Sequence, residues 1–276
     1  MNRTLLVDAD ITAFAIASIS EEKFNFGGED VWVADEDKGI RELNRVLSQA
    51  LENTSSQQMV LFLTEGHNFR KDVLPTYKGN RLDARKPILL YSLRDYMKEH
   101  YTVVIEQGIE ADDMMGIHAT MPHEGERVIF SIDKDLKTVP GLHWCPEDGE
   151  AYTIGQYEAD SYFFEQILTG DATDNYKGCP GVGAVAAKAM IQEPFKWVSE
   201  TRILKAGKNK GDERITWVKE PVEVHNYIDM WTCIVSAYEK VGLTEADALI
   251  QARCARILRH GEYDFKKQKV ILWTPE

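Results

Sequence analysis

Residues 127–135 read RVIFSIDKD, an apolar run that ends in two aspartates. The run is rich in β-branched residues and has the length of a buried strand. Three similar apolar runs and two helical patterns precede it, at residues 4–7, 59–63, 102–105, 40–51 and 88–97. Strands that alternate with helices predict an α/β fold, with a mostly parallel central sheet and helices on both faces.

Acidic side chains follow each of these strands, and two more follow a later helix. Ligands of parallel sheets gather beyond the carboxyl ends of the strands, so we expect the acids to meet at that edge. Such a group would repel itself unless cations neutralised it, and oxygen ligands without histidine select Mg²⁺ or Mn²⁺. Two such ions would form a centre for phosphodiester hydrolysis. The candidate metal ligands are Asp8, Glu65, Glu110, Asp112, Asp113, Asp133, Asp135, Asp171 and Asp174.

A single acid after a strand more often caps the following helix, and Asp10 is interpreted in that way. The net charge of −13 would by itself argue against a polyanionic ligand. Removing the nine candidate ligands changes this charge from −13 to −4, so much of the acid excess belongs to the candidate metal site.

The composition excludes other classes of protein. The four cysteines form no CxxC pair, and the seven histidines show no metal-binding spacing, which argues against a zinc site. No apolar run approaches the ~18 residues of a membrane span, and the first residues do not resemble a signal peptide. We therefore expect a cytoplasmic protein that does not associate with membranes; the sequence leaves its oligomeric state open, and a monomer is the working expectation.

Residues 69–86 carry six cations against two acids, a local charge of +4 in an acidic chain. A solvated helix face would explain such a segment, but its position after the second strand places it over the acidic edge. Lys78 and Arg81 lie three apart, on one face of a helix, where they could bind a scissile phosphate. Aromatic side chains in the segment offer a surface for base stacking. The candidate DNA contacts here are Arg70, Lys71, Tyr77, Lys78 and Arg81.

The strand pattern fades after residue 155. Helices are predicted at residues 157–168 and 184–191, and the remainder is expected to be mainly helical to residue 258, with a short strand at 270–273. Between the two helices, residues 178–183 read GCPGVG, a turn whose backbone N–H groups could approach phosphates. Residues 205–210 are interpreted as a flexible surface loop. The candidate DNA contacts of the turn are Lys177, Gly178, Gly181, Gly183 and Lys188.

Three of these motifs, IEADDMMG, SIDKDL and LTGDATDNYKGCPGVG, together resemble the flap endonuclease family of 5′-nucleases. The segment FRKDVLPTYKGNR is similar to the helical arch of that family. The likeness to the 5′→3′ exonucleases of short-tailed phages extends through ILKAGKNKG and ARILRHGEYDF. It is also similar to the nuclease domain of bacterial DNA polymerase I. Many members have an aspartate shortly after the second strand, whereas the nearest acid here is Glu65.

The resemblance implies a PIN-like nuclease core at residues 1–155, with an arch at about 69–86. Residues 156–276 would then form a helix–hairpin–helix region and a C-terminal helical extension. The implied activity is metal-dependent 5′→3′ hydrolysis of duplex DNA at a free end, nick or flap, with RNase H-like removal of RNA primers. Asp8 and Asp133 would act with Lys78 and Arg81 in catalysis. The implied cofactors are two Mg²⁺ ions, for which Mn²⁺ can substitute, and a K⁺ ion in the hairpin. A phage enzyme of this kind would act in the cytoplasm of the infected host.

Two alternatives remain open at this point. Residues 8–12 fit the DxDxT signature of haloacid-dehalogenase-type phosphotransferases, in which Asp8 would be a covalent nucleophile. That interpretation leaves the acidic cluster, the basic segment and the glycine turn unexplained. The second alternative is a non-catalytic DNA-binding module, but uncompensated acids would only weaken its binding to a polyanion.

Overall fold

The structure is a computed structural model that describes residues 2–81, 84–147, 149–204, 208 and 211–275. Its strands are β1 (Arg3–Asp8), β2 (Glu21–Phe26), β3 (Glu29–Ala34), β4 (Gln58–Phe62), β5 (Val103–Val104), β6 (Glu126–Phe130), β7 (Gly141–Trp144), β8 (Ala151–Ile154), β9 (Phe195–Ile203), β10 (Glu213–Pro221), β11 (Tyr263–Asp264) and β12 (Lys269–Val270). Its helices are α1 (Ala9–Ile19), α2 (Glu36–Thr54), α3 (Arg70–Val73), α4 (Leu90–His100), α5 (Ala111–Thr120), α6 (Gln156–Thr169), α7 (Ala184–Gln192), α8 (Tyr227–Lys240) and α9 (Glu245–Ala255).

The central sheet has six strands in the order β5-β4-β1-β6-β7-β8. The four predicted strands are present as β1, β4, β5 and β6, and each is parallel to its neighbours. Asp8 is in register with Phe62, and Val7 is in register with Phe130. The loops that follow β1, β4 and β6 therefore begin at one edge of the sheet, as predicted. The antiparallel edge strand β8 was not predicted.

Helices cover both faces of this sheet, which confirms the α/β prediction. On one face, Leu5 and Val7 pack in a buried cluster with Leu43 of α2 and Leu93 of α4. On the other face α5 packs on β1, β4 and β6. There the ring of Phe62 meets that of His118, with centroids 5.0 Å apart.

The chain forms two compact units whose boundaries differ from the predicted division at residue 155. The first unit comprises Met1–Phe69, Arg81–Asp160 and Ile257–Ile271; the second comprises Arg70–Asn80, Ser161–Arg256 and Leu272–Glu276. Long-range contacts explain why residues 70–80 belong to the second unit and residues 257–271 to the first. Arg70 donates to the carbonyl oxygens of Cys254 and Arg256 in the second unit. Arg259 pairs with Asp160 at 2.8 Å in the first.

The expectation that residues beyond 155 are mainly helical is wrong for one long segment. Strands β9 and β10 pair over their whole length as an antiparallel hairpin. The predicted helices are present as α6 and α7, and the C-terminal strand is shorter than predicted. The predicted loop at 205–210 lies outside the described residues except for Lys208. None of the described helices has the length and apolar character of a membrane span.

Candidate active site

One hydroxyl group links the carboxylate of Asp8 to the backbone of Asp133, at the ends of neighbouring strands. Ser131 Oγ donates to Oδ2 of Asp8 at 2.9 Å, and the N–H of Asp133 donates to the same hydroxyl at 3.0 Å. Oδ1 of Asp133 accepts the N–H of Asp135 at 2.8 Å. Because β1 and β6 are parallel neighbours, their ends bring these groups together, as the sequence predicts.

The carboxylates at this edge affect one another electrostatically. Burial raises the pKa of Asp8 to about 7; a hydrogen bond from the N–H of Ile11 opposes the shift, and the charges of Asp10 and Asp133 add to it. Burial also raises the pKa of Asp10, against the effect of Arg94, and the charge of Glu110 contributes to the rise. We call Asp8, Asp10, Glu110 and Asp133 the strand-end carboxylates.

Asp10 is not the helix cap that the sequence suggested. Asp8 caps α1, since its Oδ1 accepts the N–H of Ile11 at 3.1 Å. Asp10 lies in the first turn, where its Oδ2 accepts the N–H of Thr64 at 2.8 Å and its Oδ1 accepts Nη1 of Arg94. The Asp-x-Asp spacing at the end of β1 was the available signal that a second carboxylate faces this edge.

The amino-terminal end of α5 carries three of the predicted ligands. Glu110 is the N-cap and is 8% exposed, whereas Asp112 in the first turn is half-buried. Asp113 is fully buried, and its two oxygens accept the N–H groups of Glu110 at 3.0 Å and Leu258 at 3.1 Å. These bonds favour a capping role for Asp113 over the predicted metal-binding role.

Glu65, the predicted ligand after β4, has a lysine partner. Its Oε1 lies 2.5 Å from Nζ of Lys98, and its side chain is 43% exposed. The negative charge of such a carboxylate is stabilised by its lysine partner and by water, so it does not require a metal ion as a buried carboxylate would. Across the described part of the chain, no three His, Cys, Asp or Glu side chains are close enough to enclose an ion on their own. The strand-end carboxylates are therefore neighbours without forming a closed coordination shell.

In the second unit, the two acids of the LTGDATDN motif lie in a tight, buried loop. Oδ1 of Asp171 accepts the N–H of Thr173 at 2.6 Å, and Asp171 and Tyr176 pair through both backbone groups. Oδ2 of Asp174 accepts the hydroxyl of Tyr77 at 2.6 Å and lies 3.6 Å from Nζ of Lys78. The structure thus brings a predicted ligand and a predicted catalytic lysine into contact.

Three predictions for the basic segment need correction. Lys78 has a φ of +53° and lies between α3 and a short 3₁₀ turn, so it shares no helical face with Arg81. Arg70 is 2% exposed and bonded to backbone carbonyls, and Tyr77 is 3% exposed. Neither can present its side chain to DNA in this arrangement. Lys71 and Arg81 are exposed, as a phosphate contact requires.

The glycine turn closes against the loop before it. Gly178 has a φ of +65°, and a Cβ atom there would lie 2.3 Å from the backbone nitrogen of Gly170. Only glycine fits such an approach. Gly183 is the N-cap of α7, with open space around it, and Lys177 and Lys188 are exposed. The first N–H groups of α7 therefore begin directly after the turn, as predicted.

Comparison with known proteins gives consistent matches. A family model described as the 5′-3′ exonuclease, N-terminal resolvase-like domain matches residues 33–142. The exonuclease of Escherichia phage T7 is 34% identical over 288 residues, covering 98% of this chain and 93% of that protein. The exodeoxyribonuclease of Enterobacteria phage T3 is 32% identical, with 98% and 92% covered. A solved structure of the T5 5′-exonuclease with bound zinc ions shares the fold, with a TM-score of 0.59, 16% identity, and 92% and 93% of the two chains covered.

These matches decide between the alternatives left open by the sequence. A phosphotransferase with Asp8 as nucleophile would not explain similarity to exonucleases over nearly the whole chain. A non-catalytic module is also disfavoured, because the relatives with this full-length similarity are named as enzymes. The chain belongs to the family of 5′–3′ exonucleases.

Proposed function

We propose that the chain hydrolyses phosphodiester bonds of duplex DNA from the 5′ end, with divalent ions held by Asp8, Asp133 and the carboxylates beside them other than Asp10. The observation that carries this proposal is the pair Asp8 and Asp133, joined through Ser131 at the ends of adjacent parallel strands. The name of the T3 relative supports DNA as the substrate. The zinc ions in the T5 structure support divalent ions as the cofactor.

The residues at this edge suit a hard divalent ion. Every strand-end carboxylate supplies oxygen donors, and burial and mutual repulsion raise the pKa of Asp8 to about 7. A cation would remove that repulsion. Mg²⁺ commonly keeps several waters and is bound by one or two carboxylates together with substrate phosphates, so an open protein shell fits it. Asp8 and Asp133 would hold it directly, with Glu110, Asp112 and Asp135 beside them, and Mn²⁺ can replace it.

Bound ions would supply an acidified water nucleophile and neutralise charge at the scissile phosphate. Lys78 would offset negative charge on the phosphate oxygens, and Asp174 holds its ammonium group near the loop that carries Asp171. Arg81 is exposed in its 3₁₀ turn and would contact the same strand. The roles of Asp171 and Asp174 as metal ligands, and that of Glu65, stay predictions.

The glycine turn and α7 would bind the duplex backbone. The N–H groups at the start of α7 attract phosphate oxygens, and Lys177 and Lys188 add positive charge without reading sequence. A K⁺ ion at residues 178–183 is part of the proposal and is testable by replacing K⁺ with Li⁺ in the binding buffer. We also propose that the protein acts as a monomer on nicks, flaps and RNA-primed duplexes, in the host cytoplasm.

The test is one digestion series with end-labelled blunt, nicked, flapped and RNA-primed duplexes, with and without Mg²⁺. Wild-type protein is expected to release short products from the 5′ end only when Mg²⁺ is present. Asp133→Asn should lose cleavage and keep DNA binding, whereas the surface variant Lys266→Ala should match wild type. Full cleavage by Asp133→Asn, or cleavage in EDTA, would refute the proposal.

A further inference from the structure

We infer that Asp10, Thr64 and Arg94 form a positioning network that fixes the amino-terminal end of α5 against the carboxyl ends of β1 and β4. The inference rests on the proposed function, because Glu110 and Asp112 at that end of α5 are candidate ligands. None of the three residues needs to touch an ion or DNA in this role. Each acts through the backbone that it holds.

Thr64 is the centre of the network, and it uses three different groups. Its N–H donates to Oδ2 of Asp10 at 2.8 Å, and its carbonyl oxygen accepts Nη2 of Arg94 at 2.5 Å. Its Oγ1 accepts the N–H of Ala111, the first residue of α5, at 2.9 Å. Thr64, which follows β4, is thus hydrogen-bonded to residues of α1, α4 and α5, the three helices that border the strand ends.

Arg94 suits this position because its planar guanidinium holds the N–H donors of its two terminal nitrogens in a fixed fork. One donates to Oδ1 of Asp10 and the other to the carbonyl of Thr64. The side chains of Arg94 and Asp10 are only 17% and 24% exposed. A partly buried pair of this kind holds its geometry more firmly than a surface pair.

The network also concerns a position at which this chain differs from the family that it resembles, the acid after the second strand. Many relatives are expected to carry an aspartate after the second strand, and Glu65 is the nearest acid in sequence. Glu65 is paired with Lys98, whereas Asp10 reaches the same strand end from α1 and bonds the backbone of Thr64. Asp10 is paired with the guanidinium of Arg94, whereas Asp8 accepts the neutral N–H of Ile11 and the hydroxyl of Ser131. This difference favours a positioning role for Asp10 over direct ligation.

The test measures Mn²⁺ binding to the full chain without DNA, by electron paramagnetic resonance of free Mn²⁺. Thr64→Val keeps the side-chain shape and removes the hydroxyl, which accepts the N–H of Ala111 and also hydrogen-bonds Asp10. It should weaken Mn²⁺ binding about tenfold, the scale measured when groups that orient metal ligands are lost. Thr64→Ser keeps the hydroxyl and should recover most of the affinity.

The matched control is Thr120→Val, at the other end of the same helix. Oγ1 of Thr120 accepts the N–H of His260 at 2.8 Å, so the same substitution removes the same kind of bond far from the candidate ligands. It should change thermal stability without changing Mn²⁺ affinity. Equal Mn²⁺ losses in the two valine variants would overturn the inference, because they would mean general destabilisation of α5.

Asp8→Asn separates this inference from the proposed function. Wild-type Mn²⁺ affinity in Asp8→Asn would mean that the metal assignment fails, and the network would have no ligands to position. Loss of affinity in Asp8→Asn together with wild-type affinity in Thr64→Val would overturn the network alone. Asp10→Asn should weaken Mn²⁺ binding as Thr64→Val does, since it breaks the same link to Thr64 and Arg94.

Discussion

Tyr77→Phe is expected to destabilise the second unit of the protein, because it removes a buried hydrogen bond to a carboxylate. The hydroxyl of Tyr77 donates to Oδ2 of Asp174 at 2.6 Å, and the two residues are 3% and 8% exposed. Phenylalanine keeps the ring and its packing. The substitution therefore isolates the contribution of a single hydroxyl group. The sequence had suggested instead that the side chain of Tyr77 lies on a stacking surface for DNA bases.

The expected loss can be derived from this geometry. A hydrogen bond to a charged group contributes about 1.5–3 kcal/mol, more than one between neutral groups. Water cannot replace the lost donor readily, since both partners are buried. Lys78 also lies near Asp174, with its Nζ 3.6 Å from the same oxygen, and forms a weaker contact. We expect the free energy of unfolding to fall by about 1.5–3 kcal/mol.

The assay is urea denaturation of the full chain, with the slope of the transition compared between variants. Tyr263→Phe is the control, since the hydroxyl of Tyr263 donates to the neutral carbonyl of Gln107 at 2.8 Å in a partly buried hydrogen bond, and its loss should cost only about 0.5–1.5 kcal/mol. In Asp174→Asn the additional change Tyr77→Phe should have a smaller effect than in wild type. Unchanged stability of Tyr77→Phe would refute this reasoning.

Three further predictions concern burial, backbone conformation and pH. Arg70→Met should lower the free energy of unfolding by about 2–4 kcal/mol, because it removes the donor to two buried carbonyls. Lys71 is exposed, so Lys71→Met should leave the free energy of unfolding unchanged and reduce the salt dependence of DNA binding. Gly178→Ala should lower the free energy of unfolding by more than about 2 kcal/mol, measured by thermal unfolding, since the φ of Gly178 is +65°. Gly183→Ala should keep the stability of the wild-type protein and weaken DNA binding in filter assays. Burial lowers the pKa of His143 below its usual 6.5, so near that pH the unfolded chain binds a proton that the folded chain does not. The free energy of unfolding should therefore fall as the pH drops below 6.5. His143→Gln should flatten that decline.

The sequence predicted the central sheet well because its signal is local. Each apolar run of β1, β4 and β6 is buried on both faces, and such strands are nearly continuous in hydrophobic residues. The hairpin of β2 and β3 was missed, although Gly27 and Gly28 form its turn with φ values of +64° and +98°. A Gly-Gly pair between two short strands is a typical hairpin signal. Strand β3 does contain an apolar run, at residues 31–34, but both strands are largely exposed, so an apolar run alone does not separate this hairpin from the buried sheet.

The functional carboxylates could be named from sequence, but their individual roles could not. A carboxylate after a strand becomes a ligand, a helix cap or half of an ion pair according to the N–H groups and cations that other elements bring to it. Asp113 is bonded by the N–H of Leu258, 145 residues away, and Asp10 by Arg94, 84 residues away. Strand ends place acids at an edge, whereas their partners come from distant segments, here α4 and the segment that follows α9, and nothing in the sequence links those segments to that edge. Assigning a role to each acid therefore requires the long-range contacts, and the effect of Thr64→Val on Mn²⁺ binding measures whether one such contact matters.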